Sequence, residues 1–455
     1  DDEKEIIAPN TDLEKEIYNT LCSLMNRNDI SVDDDFFDDL GLDSLNIMEL
    51  TIKLSKYNLE IQDINNASNI RDLAKRIETH TTDDSNYSNV IEQVNIINKH
   101  VDFDLSNVLL TGTTGFLGIH ILKELCENPN VNKVYCLIRK KNNKDADERI
   151  RLSLENYFSS DVIERISNKI EAVEGNFELD HLGFSNTVYD NLCNTVSTVI
   201  HCGANVRHYG KYDVFFKANV LGTKNIIDFC KNSNAKLAHI STVSVGAYSK
   251  VGTSVVLNEN NINVGQDFKN HVYMITKYKA ECEVLKEIEA NNIEGKIFRL
   301  GNIMPRFSDG KFQTNFLENA FMSRLKTILK FGEITDGYQK MIIDLSPVDL
   351  CAKSIVKILT KNNAQTIYHI YNNNTFSIKE LLLLLDISVK ISSKNDLIEK
   401  LKDSNDPFDA HMLNDLVNSE FIETPVNNEL TIDWLNNIGF KWPVINKDYL
   451  KYIDL

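Results

Sequence analysis

The stretch "NVLLTGTTGFLGIHILKEL" (residues 107–125) decides the fold class of this 455-residue chain. An apolar run ends in a turn that contains Gly112, Gly115 and Gly118, and an amphipathic run with helical spacing follows the turn. A strand, a glycine-rich turn and a helix in this order let a pyrophosphate approach the backbone at a helix N-terminus. The motif therefore predicts a dinucleotide site, and a purely structural strand–helix turn is the alternative.

Short apolar runs continue along the chain, and segments with helical spacing separate them. Strands that alternate with helices form a parallel, doubly wound α/β sheet. Such sheets bind ligands at the carboxyl ends of their strands. The predicted strands lie at residues 107–112, 133–139, 169–175, 197–203, 236–242, 295–301 and 366–372.

Two regions depart from this alternation. Near the N-terminus, "TDLEKEIYNTLCSLM" has a capping residue and an apolar helical stripe, which predicts a small helical bundle. The polar linker that follows would span about 25 Å as a free coil, and its second half is apolar enough to dock on another surface. The C-terminal region is expected to form a smaller, mostly helical cap. The predicted units are the bundle (10–80), the linker (81–100) and a unit at 101–455, made of a sheet core (about 101–302 and 343–374) and a cap (about 303–342 and 375–455).

Composition excludes several classes of protein. The net charge of −17 argues against a nucleic-acid partner. The eight cysteines are scattered without a CxxC pair, which predicts a reducing cytoplasm and neither a zinc site nor a disulfide framework. The longest leucine run, Leu381–Leu385, is too short to span a bilayer, and no signal peptide is visible. Because the chain starts without Met, we expect it to be a piece of a longer protein.

The glycine spacing, G-x-x-G-x-x-G, resembles that of the extended short-chain dehydrogenase/reductase superfamily, which implies a nicotinamide dinucleotide. Arg139 and Lys140 follow the second predicted strand, where a basic side chain accommodates a ribose 2′-phosphate, so NADPH is the expected cofactor. Arg149 is either a second phosphate contact or a solvated helix residue. The turn residues expected to bind the cofactor are Gly112, Thr114, Gly115, Phe116, Leu117 and Gly118.

Tyr273 and Lys277 lie four residues apart in "VYMITKYKAE", on one face of a predicted helix. "HISTVSVG" places Thr242 at the end of the fifth predicted strand. In the superfamily that the chain resembles, such a Thr or Ser forms a catalytic triad with Tyr and Lys; Ser241 and Ser244 compete for the Thr242 role. A nearby ammonium and a cationic nicotinamide favour tyrosinate, so we expect the pKa of Tyr273, ~10 in free tyrosine, to fall toward working pH. Both Tyr273 and Lys277 are also expected to contact the cofactor, with a packing role for Tyr273 as the alternative.

Further residues match the same superfamily. Asn176 stands where Asp is more usual, which leaves its contact with the adenine open. His201 and Cys202 could form a base–nucleophile pair, although packing at a strand end is favoured. The resemblance implies further cofactor contacts from Asn176, Phe177, Gly203, Ala204 and Asn219.

The acidic stretch "DDDFFDDLGLDSLNIMEL" (residues 33–50) surrounds Ser44 with six Asp. It resembles the phosphopantetheine site of an acyl or peptidyl carrier protein, in which the serine opens the second helix of a four-helix bundle. That resemblance implies a covalent 4′-phosphopantetheine on Ser44 and a phosphopantetheinyl transferase that reads the acidic surface. An ordinary helix N-cap in an acidic loop is the alternative.

Taken together, the chain resembles the carrier and thioester reductase domains at the C-terminal end of a nonribosomal peptide synthetase, an arrangement shared with α-aminoadipate and carboxylic acid reductases. The resemblance implies NADPH-dependent release of a carrier-bound acyl or peptidyl thioester as an aldehyde or alcohol, with upstream synthetase modules as partners and without a membrane or metal. Three alternatives are a non-redox cyclising release domain, a nucleotide-sugar epimerase or dehydratase, and a non-catalytic scaffold.

Overall fold

The computed structural model describes residues 6–453 apart from 43, 58, 60, 80–90, 142, 208–209, 251, 270, 314–318, 362, 403, 405, 407–408 and 418–420. Within these limits the chain forms an N-terminal helical domain, a large α/β core and a C-terminal cap. This architecture confirms the predicted fold class.

The N-terminal domain is a bundle of four helices. The first helix begins with a capping box, in which Thr11 Oγ1 accepts from the Glu14 amide at 3.0 Å and Glu14 Oε2 accepts from the Thr11 amide at 3.2 Å. Its apolar face packs on the other helices, and Ile17, Phe36 and Ile47 are fully buried in the resulting core. The helices are α1 (Asp12–Met25), α2 (Ser44–Lys53), α3 (Ile61–Asn66) and α4 (Ile70–Thr79), with a 3₁₀ turn at Ser55–Tyr57.

Seven parallel strands form the sheet of the α/β core. Their spatial order is β12-β7-β5-β4-β1-β2-β3, so the direction of winding changes between β1 and β4. In doubly wound sheets the ligand crevice lies outside the carboxyl ends of the strands at this change. The strands are β1 (Asn107–Thr111), β2 (Lys133–Ile138), β3 (Ile170–Glu174), β4 (Thr198–His201), β5 (Lys236–Thr242), β7 (Gly295–Leu300) and β12 (Ile367–Ile370).

Helices cover both faces of this sheet. One apolar core contains side chains of α5, α6, α7 and α13, and the other contains side chains of α8, α10 and α11. A π-helical segment, Phe216–Leu221, joins α9 to α10. The helices are α5 (Phe116–Glu127), α6 (Ala146–Tyr157), α7 (Ser160–Ser167), α8 (Asn186–Thr195), α9 (Tyr212–Phe215), α10 (Gly222–Ser233), α11 (Val272–Glu289) and α13 (Val348–Leu359).

The cap has an apolar core of its own, which includes Met304, Leu325 and Leu381. The predicted division between sheet core and cap stays a prediction, but Leu435 and Trp442, which it assigned to the cap, pack in the core of the sheet. The remaining helices are α12 (Ala320–Phe331), α14 (Ile378–Leu384), α15 (Lys394–Lys402), α16 (Asp409–Val417), α17 (Glu429–Asn437) and α18 (Lys447–Leu450). The remaining strands are β6 (Tyr248–Lys250), β8 (Ile303–Met304), β9 (Glu333–Ile334), β10 (Ile342–Ile343), β11 (Ser346–Pro347), β13 (Phe376–Ser377), β14 (Lys390–Ile391) and β15 (Phe421–Glu423).

The second half of the predicted linker lies against the α/β core, as its apolar composition predicts. The Glu92 amide donates to the Tyr278 hydroxyl on α11 at 3.0 Å, and Thr366 Oγ1 donates to the Ile97 carbonyl at 2.6 Å. Val94 and Ile96 pack on the neighbouring core. The first half of the linker, 81–90, lies outside the described residues. Among the helices of the described part of the chain, none has the length and apolar character that a bilayer span requires.

Candidate active site

The glycine turn follows β1 at the change of winding. Gly112 has φ +69°, and a Cβ there would lie 2.7 Å from the backbone of Cys202 and Gly203 in the loop after β4. A Cβ at Gly118 would lie 2.1 Å from the Gly112 carbonyl oxygen. Glycine is therefore required for this turn to pack between the two strand ends and the helix.

The helix N-terminus after the turn suits a phosphate. Gly115 is the N-cap of α5, and as a glycine it has no side chain that could accept from the first-turn amides. Amides at this position have no partner within the helix, and the helix dipole adds positive potential. The Phe116 ring packs edge-on against His120 and Phe312, and Leu117 is buried, so these two residues would contact a cofactor through their backbone. The residues present thus fit a dinucleotide pyrophosphate.

Two arginines lie next to this turn. Arg149 donates to the carbonyl oxygen of Arg139 and, at 3.3 Å, to Thr114 Oγ1, so it joins the glycine turn to the end of β2. Burial lowers the pKa of Arg149, and the neighbouring Arg139 lowers it further. Arg139 also pairs with Glu178 at 2.9 Å, whereas Lys140 is exposed. The two guanidinium groups repel each other, and a bound phosphate would relieve this repulsion.

The Phe177 ring packs beside the end of β4. Its ring lies where a Cβ on Gly203 or Gly222 would fall, 2.6 Å away in each case, and it makes an edge-on contact with His201. The Asn176 side chain instead accepts from the Glu178 amide at 3.0 Å. Gly203 is held by its amide, which donates to Thr111 Oγ1 at 2.9 Å, and half-buried Ala204 follows it.

Asn219 braces the loop after β4 from the π-helical segment. Its Oδ1 accepts from the Asn205 amide at 2.7 Å, and its Nδ2 donates to the Asn205 carbonyl at 3.0 Å and to Thr276 Oγ1 on α11 at 3.0 Å. A π-bulge of this kind is frequent at functional sites. Asn219 therefore positions the loop that carries Gly203 and Ala204.

Thr242, Tyr273 and Lys277 come together at the end of β5. Thr242 ends the strand and forms a side-chain hydrogen bond with Tyr273 on α11. Lys277, one turn further along α11, donates to the Ile240 carbonyl at 2.8 Å. Among the three hydroxyls considered for the triad, the structure thus brings Thr242 to Tyr273. The Ser241 hydroxyl is buried without a hydrogen-bond partner among the described residues.

Burial is the main cause of the shifted pKa values of Tyr273 and Lys277. It raises the pKa of Tyr273 to about 12, against a smaller lowering by the bond from Thr242. It also lowers the pKa of Lys277 to about 8, although Glu281 acts in the opposite direction. In the protein without a cofactor, desolvation of the phenolate outweighs the ammonium; the expected fall, which also depends on a cationic nicotinamide, stays a prediction.

A buried ion pair that the sequence analysis does not predict lies one helical turn beyond Lys277. Glu281, one turn after Lys277, accepts from Arg299 on β7 at 2.7 to 3.1 Å, and neither side chain has any exposed surface. Arg299 Nη1 also lies 3.1 Å from His369 Nε2 on β12. The signal was present in "GKIFRLG", since an arginine inside an apolar strand requires a buried partner.

The surroundings of His201 and Cys202 favour packing over a base–nucleophile pair. His201 Nδ1 is bonded to Thr111 Oγ1 at 2.8 Å, and burial lowers the pKa of the imidazole to about 3. Burial also raises the pKa of the Cys202 thiol to about 12. Both residues are packing residues at the strand end, as the sequence analysis favours.

Ser44 is the first residue of α2 in the N-terminal bundle. Its side chain and the adjacent Asp43 lie outside the described residues. The preceding loop is described: Gly41 has φ +67°, and Leu42 is buried in the bundle core. The position of Ser44 at a helix start matches the prediction for a phosphopantetheine-bearing serine.

Comparison with known proteins identifies both parts of the chain. Residues 110–355 match the NAD-binding family described as "Male sterility protein", and the chain belongs to that family. Residues 15–77 match the family described as "Phosphopantetheine attachment site". The protein is therefore a phosphopantetheine carrier domain followed by a reductase domain that binds a nicotinamide cofactor.

One solved structure shares this organisation, and curated relatives match parts of the chain. A solved structure of a thiolation-reductase di-domain from an archaeal non-ribosomal peptide synthetase is 28% identical with a TM-score of 0.79, and the match covers 99% of this chain and 98% of that one. One of the linear gramicidin synthase proteins of Brevibacillus parabrevis is 26% identical over 84% of this chain, and the large subunit of the L-2-aminoadipate reductase of Penicillium chrysogenum is 29% identical over 55%. The matches span only 8% and 18% of these two curated relatives.

Proposed function

We propose that this protein uses NADPH to release a carrier-bound acyl or peptidyl thioester as an aldehyde at the end of a nonribosomal peptide synthetase. The observation that supports the proposal is that one chain joins a phosphopantetheine attachment domain to an NAD-binding domain, in which Thr242 at the end of β5 lies beside Tyr273 and Lys277 on α11. Because the carrier and the reductase are tethered, delivery of the thioester is effectively intramolecular.

The chemistry assigned to each residue follows from its position. The bound nicotinamide would supply a hydride to the thioester carbon. Thr242 and Tyr273 would hydrogen-bond the carbonyl oxygen as negative charge develops on it, and Tyr273, which stays protonated at neutral pH, can donate a proton to it. The product of these two transfers is a hemithioacetal. Its C–S bond then breaks as the hydroxyl proton passes to the sulfur, which returns the thiol and leaves the aldehyde. The Lys277 ammonium would hold the nicotinamide ribose, and a second hydride would give an alcohol.

The choice of NADPH over NADH rests on positive charge near β2. Arg139, Lys140 and Arg149 lie beyond the end of this strand, and Arg149 reaches the glycine turn. A 2′-phosphate would accept from these groups, whereas an acidic residue would serve a free 2′-hydroxyl. The other proposed cofactor contacts are Gly112, Thr114, Gly115, Phe116, Leu117, Gly118, Asn176, Phe177, Gly203, Ala204, Asn219, Tyr273 and Lys277.

The cellular setting is part of the same proposal. Ser44 would be modified by a phosphopantetheinyl transferase, and upstream synthetase modules would load the carrier. The eight cysteines are free thiols, which fits a reducing cytoplasm.

Single-turnover NADPH oxidation by the loaded chain tests the proposal. The loaded protein should consume one NADPH for each aldehyde released, and Tyr273→Phe should retain NADPH binding but lose most of the turnover. Ser44→Ala should abolish loading while leaving reduction of a soluble pantetheine thioester intact. Release of a cyclic product without NADPH consumption would establish the non-redox alternative, and turnover of a free nucleotide sugar would support the epimerase alternative.

A further inference from the structure

The acidic loop of the carrier domain contacts the reductase domain at one basic side chain. Lys211, the residue before α9, forms an ion pair with Asp35, and its ammonium lies 5.5 Å from the centre of the Phe37 ring. Both members of the ion pair are about three-quarters buried, at 27% and 24% side-chain exposure. Partial burial strengthens such a pair relative to an exposed one.

Asp35 is held in place for this contact. Its Oδ1 accepts from the amides of Phe37 at 2.9 Å and Asp38 at 3.1 Å, while Oδ2 faces Lys211. Burial raises the pKa of Asp35, but the bond from Lys211 and the two loop amides outweigh it, so the net shift is downward. A carboxylate already fixed by its own loop loses little side-chain entropy when it pairs with a partner.

The carrier also reaches the cap. Helix α2, which begins at Ser44, contacts α16 of the cap. The acidic loop before Ser44 thus meets the sheet core, and the helix after it meets the cap. Between residues 10 and 80 the chain has fifteen Asp and Glu against seven Lys and Arg, so a lysine on the reductase is complementary in charge.

We infer that Lys211 is the docking contact by which the reductase recognises the acidic loop of its own carrier domain, through Asp35 and Phe37, and holds Ser44 at the junction of sheet core and cap. The inference rests on the proposed function. On this inference two proteins or domains bind the acidic loop: the transferase that modifies Ser44 and the reductase domain of the same chain.

The loop that carries Lys211 also carries the proposed cofactor contacts. Gly203 and Ala204 begin this connection after β4, and Asn219 braces it from the π-helical segment. Docking at Lys211 therefore brings the carrier to the segment that borders the nicotinamide site. This position suits delivery of a thioester better than a contact on the opposite edge of the sheet.

A double-mutant cycle on the full, loaded chain tests the inference. The variants are Lys211→Gln, Asp35→Asn, which keeps the Oδ1 acceptor for the loop amides, and the double variant. We expect each single change to slow single-turnover NADPH oxidation about fivefold, on the order expected for one partly exposed ion pair. The double variant should be no slower than either single variant, because the second change removes a contact already lost.

Matched controls separate docking from other effects. Lys217→Gln and Asp38→Asn remove the same charges from exposed positions nearby, and both should stay within about twofold of wild type. Reduction of a soluble pantetheine thioester should be unchanged in all variants. Wild-type rates in both single variants, independent effects that multiply in the double variant, or equal loss with the soluble substrate would each overturn the docking inference. The proposed function itself fails if the wild-type protein does not oxidise NADPH when it is given either the loaded carrier or the soluble thioester.

Discussion

Replacement of Glu281 by glutamine tests how the reductase holds its proposed catalytic helix. The Glu281 carboxylate is fully buried and accepts three close contacts from Arg299, which is equally buried. Glutamine has nearly the same shape but no charge, so the Arg299 guanidinium would stay in the interior with its charge uncompensated. This ion pair ties α11, which carries Tyr273 and Lys277, to β7 of the sheet.

The expected cost is large because the pair is buried. Removing one partner of a buried ion pair costs about 3–5 kcal/mol, since the remaining charge is desolvated without compensation. For a domain of this size that loss lowers the melting temperature by roughly 4–7 °C. Glu283→Gln is the matched control on the same helix, because Glu283 forms only partly exposed pairs with Lys224 and Lys286. That change should cost about 1 kcal/mol or less.

Calorimetry on the full chain measures both variants, with NADPH affinity at low temperature as a second readout. Glu281→Gln should unfold the reductase domain well below the control and weaken NADPH binding through Lys277. Replacing both partners with apolar residues, Glu281→Leu with Arg299→Met, should recover part of the stability. A Glu281→Gln domain as stable as the Glu283→Gln domain would refute the reasoning.

Three further predictions concern the cofactor site. Gly118→Ala should abolish NADPH binding measured by titration, because its Cβ would lie 2.1 Å from the Gly112 carbonyl oxygen, whereas loading of the carrier should persist. Arg139→Ala should weaken NADPH binding far more than NADH binding; equal losses would instead indicate that its pair with Glu178 is structural. NADPH affinity should fall as pH rises through about 8, because Lys277 loses its proton there; an affinity that stays flat to pH 10 would contradict this role.

Local patterns were sufficient to predict the sheet and the glycine turn. Each strand of the large sheet lies within a predicted apolar run, because parallel strands covered on both faces are mostly apolar. Gly112 and Gly118 were identifiable because only glycine fits a close backbone approach after a strand. The pairing of β15 with β6 was not predictable, because nothing in either short segment specifies a partner some 170 residues away.

The site was predictable where chemistry requires a fixed local spacing. Tyr273 and Lys277 are one helical turn apart, so sequence alone places them on one face. The pKa of Tyr273 depends on how many atoms the tertiary structure packs around its hydroxyl, and spacing carries no information on that. The contact between Asp35 and Lys211 likewise joins residues 176 positions apart, and charge composition alone could not select this lysine.

The docked linker limits how far the carrier domain can move from the reductase domain. Residues 91–98 are fastened to the reductase through Tyr278 and Thr366, so only the eleven residues 80–90 separate α4 from this anchor. Whatever conformation they adopt, eleven residues reach no further than about 40 Å. Every enzyme that loads or unloads this carrier must therefore come within that distance, plus the width of the carrier itself, of the helix that holds Tyr273. The length of this short segment thus limits how widely the partners of the carrier can be spaced around the reductase.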